Sequence, residues 1–94
     1  MGPRKKVLLG SVLCSVVAMQ AITASGYRSG DFLRRHESGD WGEALSWQDH
    51  EDNENALADG LAVASAYLLP IGETLWIMTD AGQRITRLAL GSEL

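Results

Sequence analysis

The sequence predicts an α+β domain: a small antiparallel sheet of three or four strands, the last three forming a C-terminal meander, with two or three helices packed on one face. Three observations carry this reading. Between Leu61 and Leu90, the runs AVASAYLL, TLWIMTD and RITRLAL are separated only by the turns PIGE and AGQ, and connections so tight join antiparallel neighbours. Helical patterns precede these runs and none follows them, which segregates helices from sheet. The 94 residues, 46% apolar and 21% charged, suffice for one core and not for two lobes around a cleft.

The chain opens MGPRKKVLLGSVLCSVVAMQAITAS, whose basic start, apolar run from Val7 to Met19 and following small residues have the layout of a secretory signal. The run is shorter than the roughly 20 apolar residues that span a membrane. A cut after Ala21 or Ala24 would leave Met19 or Ile22 at the minus-three position, where a small residue belongs. The competing reading takes SVVAMQAI as the first buried strand, running into a short helix through Gln20 and Ala24. Residues 1–14 are then a basic and apolar tail, and 15–94 a single domain.

Two glycines between Gly26 and Gly30 turn the chain. Asp31 can cap a short helix through Phe32, Leu33, Arg34 and His36, ended near Gly39, with Phe32 and Leu33 facing inward. A longer helix is expected from Ser46 or Trp47 to Asp59. Ser46 with Asp49 approximates a capping box, acids fill the early turns, and Gly60 stops it. Its apolar residues, Trp47, Ala56, Leu57 and Ala58, predict a narrow buried stripe. In the middle strand of the meander, Leu75, Ile77 and Thr79 point one way, and Trp76 and Met78 the other.

The formal net charge is -4, and no lysine or arginine lies between Arg35 and Arg84, an interval with ten acidic residues. Such a surface repels phosphates, so direct DNA or RNA binding is excluded. An acidic face can keep a small protein soluble, or it can meet a basic partner such as a nucleic-acid-binding protein. Cys14 is the single cysteine, which rules out an intramolecular disulfide and a cysteine-based metal site and fits a reducing compartment.

Arg35 to Asp49, RHESGDWGEALSWQD, holds the densest set of chemically able side chains. His36 and His50 could share a metal or hydrolytic site with Asp40 and Asp49, although nothing in the spacing demands it. DHEDNENALADG resembles a calcium loop, but Glu54 stands where glycine is required and Gly60 where the bidentate glutamate is required. Trp41, Trp47 and Trp76 lack interleaved basic residues and so read as core or interface anchors. The plainer reading of GDWG is a sharp reversal: Gly39 and Gly42 bracket it, Trp41 enters the core, and Asp40 caps backbone N–H groups or pairs with Arg35.

These residues carry a resemblance. RHESGDWG, followed by Asp49, Asn53, Ala56, Leu57 and Gly60, then SAY, LP, Gly72 and LWIMTDAGQRIT, resembles a family of small uncharacterised bacterial proteins. They are often encoded on plasmids and other mobile elements, and are sometimes labelled restriction-modification subunits. The likeness runs from about Val16 to Leu90. It implies a strand over Val16 to Ile22, and signature positions at Arg35, His36, Gly39, Asp40, Trp41, Gly42, Asp49, Asn53, Ser65, Tyr67, Trp76, Thr79 and Thr86. Ala62 departs from an expected Arg, Asp80 from Glu, and Gly82 with Gln83 from an Asp-Arg pair, while GSEL replaces a Pro-Glu-Tyr-like tail. A methyltransferase needs a cofactor-binding α/β domain that this chain is too short to hold, so the enzymatic label does not fit.

The expected function is that of a small, non-catalytic, cytoplasmic accessory protein acting through protein contacts, as an acidic modulator of a nucleic-acid-processing or defence complex. Its candidate contact residues are Arg35, His36, Asp40, Trp41, Asp49, Glu51, Asp52, Asn53 and Glu54. No cofactor or metal is implied, and a homo-oligomer is compatible. The alternatives are a small hydrolase or metal-dependent enzyme on His36, Asp40, Asp49 and His50, and a secreted or periplasmic protein cleaved near residue 25.

Overall fold

The computed structural model describes residues 5–94, so the start of the basic tail lies outside the described residues. A strand β1 (Ser11–Cys14), helices α1 (Val16–Ala24), α2 (Ser29–Glu37) and α3 (Trp47–Ala58), and strands β2 (Val63–Leu68), β3 (Thr74–Thr79) and β4 (Ile85–Leu90) follow one another, and a 3-10 turn (Gly91–Glu93) ends the chain. The fold is α+β, and the three C-terminal strands form the expected meander. The sheet runs β1-β4-β3-β2. It is mixed rather than antiparallel throughout, because β1 lies parallel to β4 with Ser11 beside Ile85 and Cys14 beside Leu88.

The N-terminal third departs most from expectation. Val16 to Ile22, read as a strand, is helical. The Ser15 hydroxyl accepts the Ala18 N–H at 3.0 Å and so caps the first turn. Ala18, Ala21 and Ile22 are buried while Val16, Val17 and Met19 are exposed, a spacing of three to four that only a helix gives. The strand lies earlier, inside the segment read as a tail. Gly10 admits it there: its φ is +63°, and a Cβ would fall 2.1 Å from the Arg84 carbonyl oxygen. Val7 is wholly buried, so the domain reaches back at least that far.

One face of the sheet carries Ser65 and Tyr67 from β2, Leu75, Ile77 and Thr79 from β3, and Thr86, Leu88 and Leu90 from β4, all buried. Helices α1 and α2 cover it with Ala18, Ala21, Ile22 and Phe32. Helix α2 begins earlier than expected, and the Asp31 carboxylate accepts the Arg28 N–H at 2.8 Å. The third helix sits elsewhere. It flanks the free edge of β2, where Leu45, Ala56 and Leu57 pack on a second small core of Val7, Trp41 and Val63. Of the expected stripe, Ala56 and Leu57 pack inward, whereas Trp47 and Ala58 are exposed and Asn53 is buried in their place.

Trp76 and Met78, on the other sheet face, are half-buried. The N-terminal strand does not cover them, since it extends the sheet beside β4.

Candidate functional site

The stretch from Asp40 to Ala44 closes the edge of β2. Ala66 donates its N–H to the Trp41 carbonyl at 2.9 Å, and its carbonyl accepts the Ala44 N–H at 3.2 Å. Two residues away, the Asn53 side chain does the same for Ala64, donating to its carbonyl at 2.7 Å and accepting its N–H at 3.1 Å. Together they satisfy backbone groups that an edge strand would otherwise expose. Gly42 makes the approach feasible, because at φ +93° a Cβ would fall 2.0 Å from the Ala66 oxygen.

Side chains fix the reversal from both sides. Arg35 donates to Asp40 from Nε at 2.6 Å and from Nη2 at 3.3 Å, and to Glu43 at 3.2 Å, while its guanidinium stacks 4.4 Å from the Tyr67 ring centre. Asp40 also accepts the Gly42 N–H at 3.2 Å, so it both caps and pairs. Its hydrogen bonds from Arg35 hold its carboxyl below the usual carboxylate range. Tyr67 donates its hydroxyl to the Asp40 carbonyl at 2.6 Å, and burial pushes its pKa upward. Trp41, 3% exposed, donates Nε1–H to Glu54 at 2.9 Å.

His36 is not at the surface. It is fully buried, edge-on to Trp41 with ring centres 5.9 Å apart, in a chain of polar groups whose directions can be worked out. Thr86 donates its hydroxyl to the Leu9 carbonyl at 2.7 Å. It must therefore accept from Thr79, 2.7 Å away. Thr79 then has no proton left for His36 Nε2 at 2.8 Å, so Nε2 carries the hydrogen and Nδ1 accepts the Ser65 hydroxyl at 2.5 Å. Every donor in the chain has an acceptor, and the imidazole is neutral. Burial pushes its pKa down to about 4.

Ser65 beside His36 is a pairing found in nucleophilic catalysis. Here both residues have no exposed surface, so no substrate reaches the hydroxyl in this conformation. The four residues of the hydrolase alternative do not converge. His36 faces Ser65 and Thr79, Asp40 faces Arg35, and His50 Nε2 donates to the Gly42 carbonyl at 2.8 Å. Among the described residues, no three His, Cys, Asp or Glu side chains are placed to share a metal ion.

The remaining candidates lie on the outward side of α3. Asp49, Glu51, Asp52 and Glu54 are exposed, and Trp47 is 74% exposed. Trp47, Glu51 and Glu54 are spaced four and three residues apart, hence on one helix face. With Gly39, Trp41 and His50 they line a shallow cleft of about 360 Å³. Glu54 is tied there by Trp41 Nε1 and by Lys6 at 3.4 Å, whereas among the described residues Glu51 and the Trp47 indole have no such partner.

The contact candidates thus divide. Arg35, His36, Asp40, Trp41 and Asn53 build the fold, Glu54 bridges fold and cleft, and Asp49, Glu51 and Asp52 face solvent. Ser65, Thr79 and Thr86 received no role from sequence reasoning beyond signature positions. Their signal was parity: Thr79 alternates in phase with Leu75 and Ile77, which places a hydroxyl inside. No protein-family model, curated protein or solved structure matches the chain.

Proposed function

We propose that this protein is a small, non-catalytic accessory protein that binds a basic segment of a partner protein on the outer face of α3. The observation that carries this reading is Trp47. What singles it out is its setting, an indole bare on the same helix face as an exposed carboxylate and at the mouth of a cleft, since Trp is enriched among the anchors of protein interfaces. Its neighbour Glu51 supplies the charge that an arginine or lysine stacked on the ring would require. The acidic interval from Arg35 to Arg84 favours the same class of partner by drawing positive charge toward it.

An acidic modulator of a nucleic-acid-processing or defence complex, of the kind carried on plasmids and mobile elements, is the fuller form of this proposal. The basic groove of a nucleic-acid-binding protein would supply the partner surface, and the chain itself would not contact nucleic acid. The cytoplasm suits it. Among the described residues no helix is long and apolar enough to cross a membrane. Cleavage near residue 25 would also remove β1 and α1, which pair and pack with the rest of the domain.

Calorimetric titration with an arginine-rich peptide tests the reading. Binding is expected to weaken as salt rises, and Trp47→Ala and Glu51→Lys should each weaken it about tenfold, the size of one desolvated cation–π or charge contact. An absence of binding at low salt, or affinity unchanged in both variants, would overturn it.

A further inference from the structure

From Val7 to Tyr27 the chain contains no Asp, Glu, Lys, Arg or His, and within this stretch β1 forms the edge of the sheet opposite β2 and α3. On β1 and the following α1, Val12, Leu13, Val16, Val17 and Met19 are all exposed, Val16 to 72%. Single exposed apolar residues are ordinary, but a cluster of this density marks a contact surface.

The backbone of β1 gives the surface a direction. Ser11 donates its N–H to the Arg84 carbonyl at 2.8 Å and Ser15 donates to the Leu88 carbonyl at 3.1 Å. Alternation along the strand therefore turns the N–H and C=O of Val12 and Cys14 away from β4, toward the open edge. Among the described residues no hydrogen bond engages those N–H groups. The opposite edge, β2, is closed by Asn53 and by Trp41 to Ala44. Among the described residues nothing covers the β1 edge in this way, and β1 itself holds no lysine, proline or charge that would discourage pairing.

We propose that this edge is the interface between two copies of the chain, joined by antiparallel pairing of β1 about a two-fold axis at Leu13. In that register each Val12 exchanges two hydrogen bonds with the partner's Cys14, and Leu13 meets its own counterpart in a non-hydrogen-bonded pair. Helices α1 then lie beside each other and cover Val16 and Val17.

Charge selects a second copy as the occupant. The protein is acidic overall at -4, so two copies repel wherever acidic faces meet, and the uncharged stretch is where they can approach. A basic partner finds no carboxylate within that stretch. The charges that border it are Arg84 and Arg87 of the β4 side and Glu93, held by Ser15, of both signs.

Sedimentation equilibrium across a concentration series measures the association, and three variants locate it. The wild-type chain should sediment at twice its monomer mass. Leu13→Lys, which sets two ammonium groups opposite each other, should give monomer with unchanged circular dichroism. Val12→Pro removes only an outward N–H, which an edge strand tolerates, and should do the same. Leu13→Cys in a Cys14→Ser background should form an intermolecular disulfide in air, since the paired Cα atoms would lie about 4.5 Å apart. Leu68→Cys in the same background, exposed beside the other edge, should not. A wild-type monomer at every soluble concentration would overturn the proposal. So would a dimer that survives both Leu13→Lys and Val12→Pro, or crosslinks no better at Leu13 than at Leu68.

Discussion

Two tryptophans six residues apart meet opposite fates. Trp41 is 3% exposed, wedged beside Val7 and Val63 with its indole N–H satisfied by Glu54, whereas Trp47 is 74% exposed at the first turn of α3. Both stand in acidic surroundings, so composition does not separate them. What separates them is the backbone. Trp41 belongs to a reversal hydrogen-bonded to β2, and its side chain must enter the gap between that edge and α3. Trp47 follows the cap residue Ser46, where the Asp49 N–H bond at 3.1 Å orients the helix so that position 47 looks outward. The comparison teaches that one stretch of chain both seals a sheet edge and sets an indole bare beside acidic side chains.

Removing the sealing tryptophan should have the largest effect. Trp41→Ala empties a large buried volume and leaves Glu54 without its indole donor, at a cost of about 3–5 kcal/mol. Urea denaturation would show the midpoint falling steeply. Gly42→Ala attacks the same contact from the backbone and should destabilise strongly as well, because the new methyl meets the Ala66 carbonyl.

The buried imidazole behind Trp41 comes next. In the unfolded chain His36 titrates near 6.5, and in the fold near 4. Between those values the unfolded state binds the proton that the folded state refuses, so stability falls as pH drops from 6.5 and levels off below 4. The full difference is about 3 kcal/mol. Comparing denaturation at pH 7 and pH 5, above most carboxylate titration, should show the loss in the wild type, while His36→Leu should lower stability overall and flatten its slope with pH. A wild type equally stable at both pH values would contradict the sealed, neutral state.

Much of this was legible beforehand. The meander, the reversal at GDWG, the Ser46 cap and the pairing of Asp40 with Arg35 all follow from local rules that need only near neighbours in sequence. The errors share a cause: they depend on partners far along the chain. The apolar run from Val7 to Met19 fits a signal, a strand or a helix, and only pairing of Ser11 to Cys14 with β4 divides it. Trp47 counted as core because it is apolar, yet burial was decided by how α3 meets an edge rather than a face. His36 counted among the contact candidates because its hydroxyl partners lie 29 and 43 residues away.

Asn53 separates closure of the edge from the core itself. Asn53→Ala would strip Ala64 of both partners while leaving the Ala66 contacts intact, and should cost about 2 kcal/mol, less than the loss of Trp41 because only hydrogen bonds are removed. Amide exchange at Ala64 should accelerate by more than at Ala66. Equal acceleration would mean that the two closures act as one unit.

The smallest effect on stability is expected where the effect on binding is greatest. Trp47→Ala removes a side chain that is mostly in water already, so the fold should change by no more than about 0.5 kcal/mol. Its cap, Ser46, and the buried side of α3 at Asn53, Ala56 and Leu57 are untouched. A thermal unfolding curve superimposable on that of the wild type, together with loss of peptide affinity, would separate the two tryptophans by function as exposure already separates them by position. If Trp47→Ala instead destabilised the domain as Trp41→Ala does, the indole would be a structural anchor, and the cleft beside it would have no claim to a ligand.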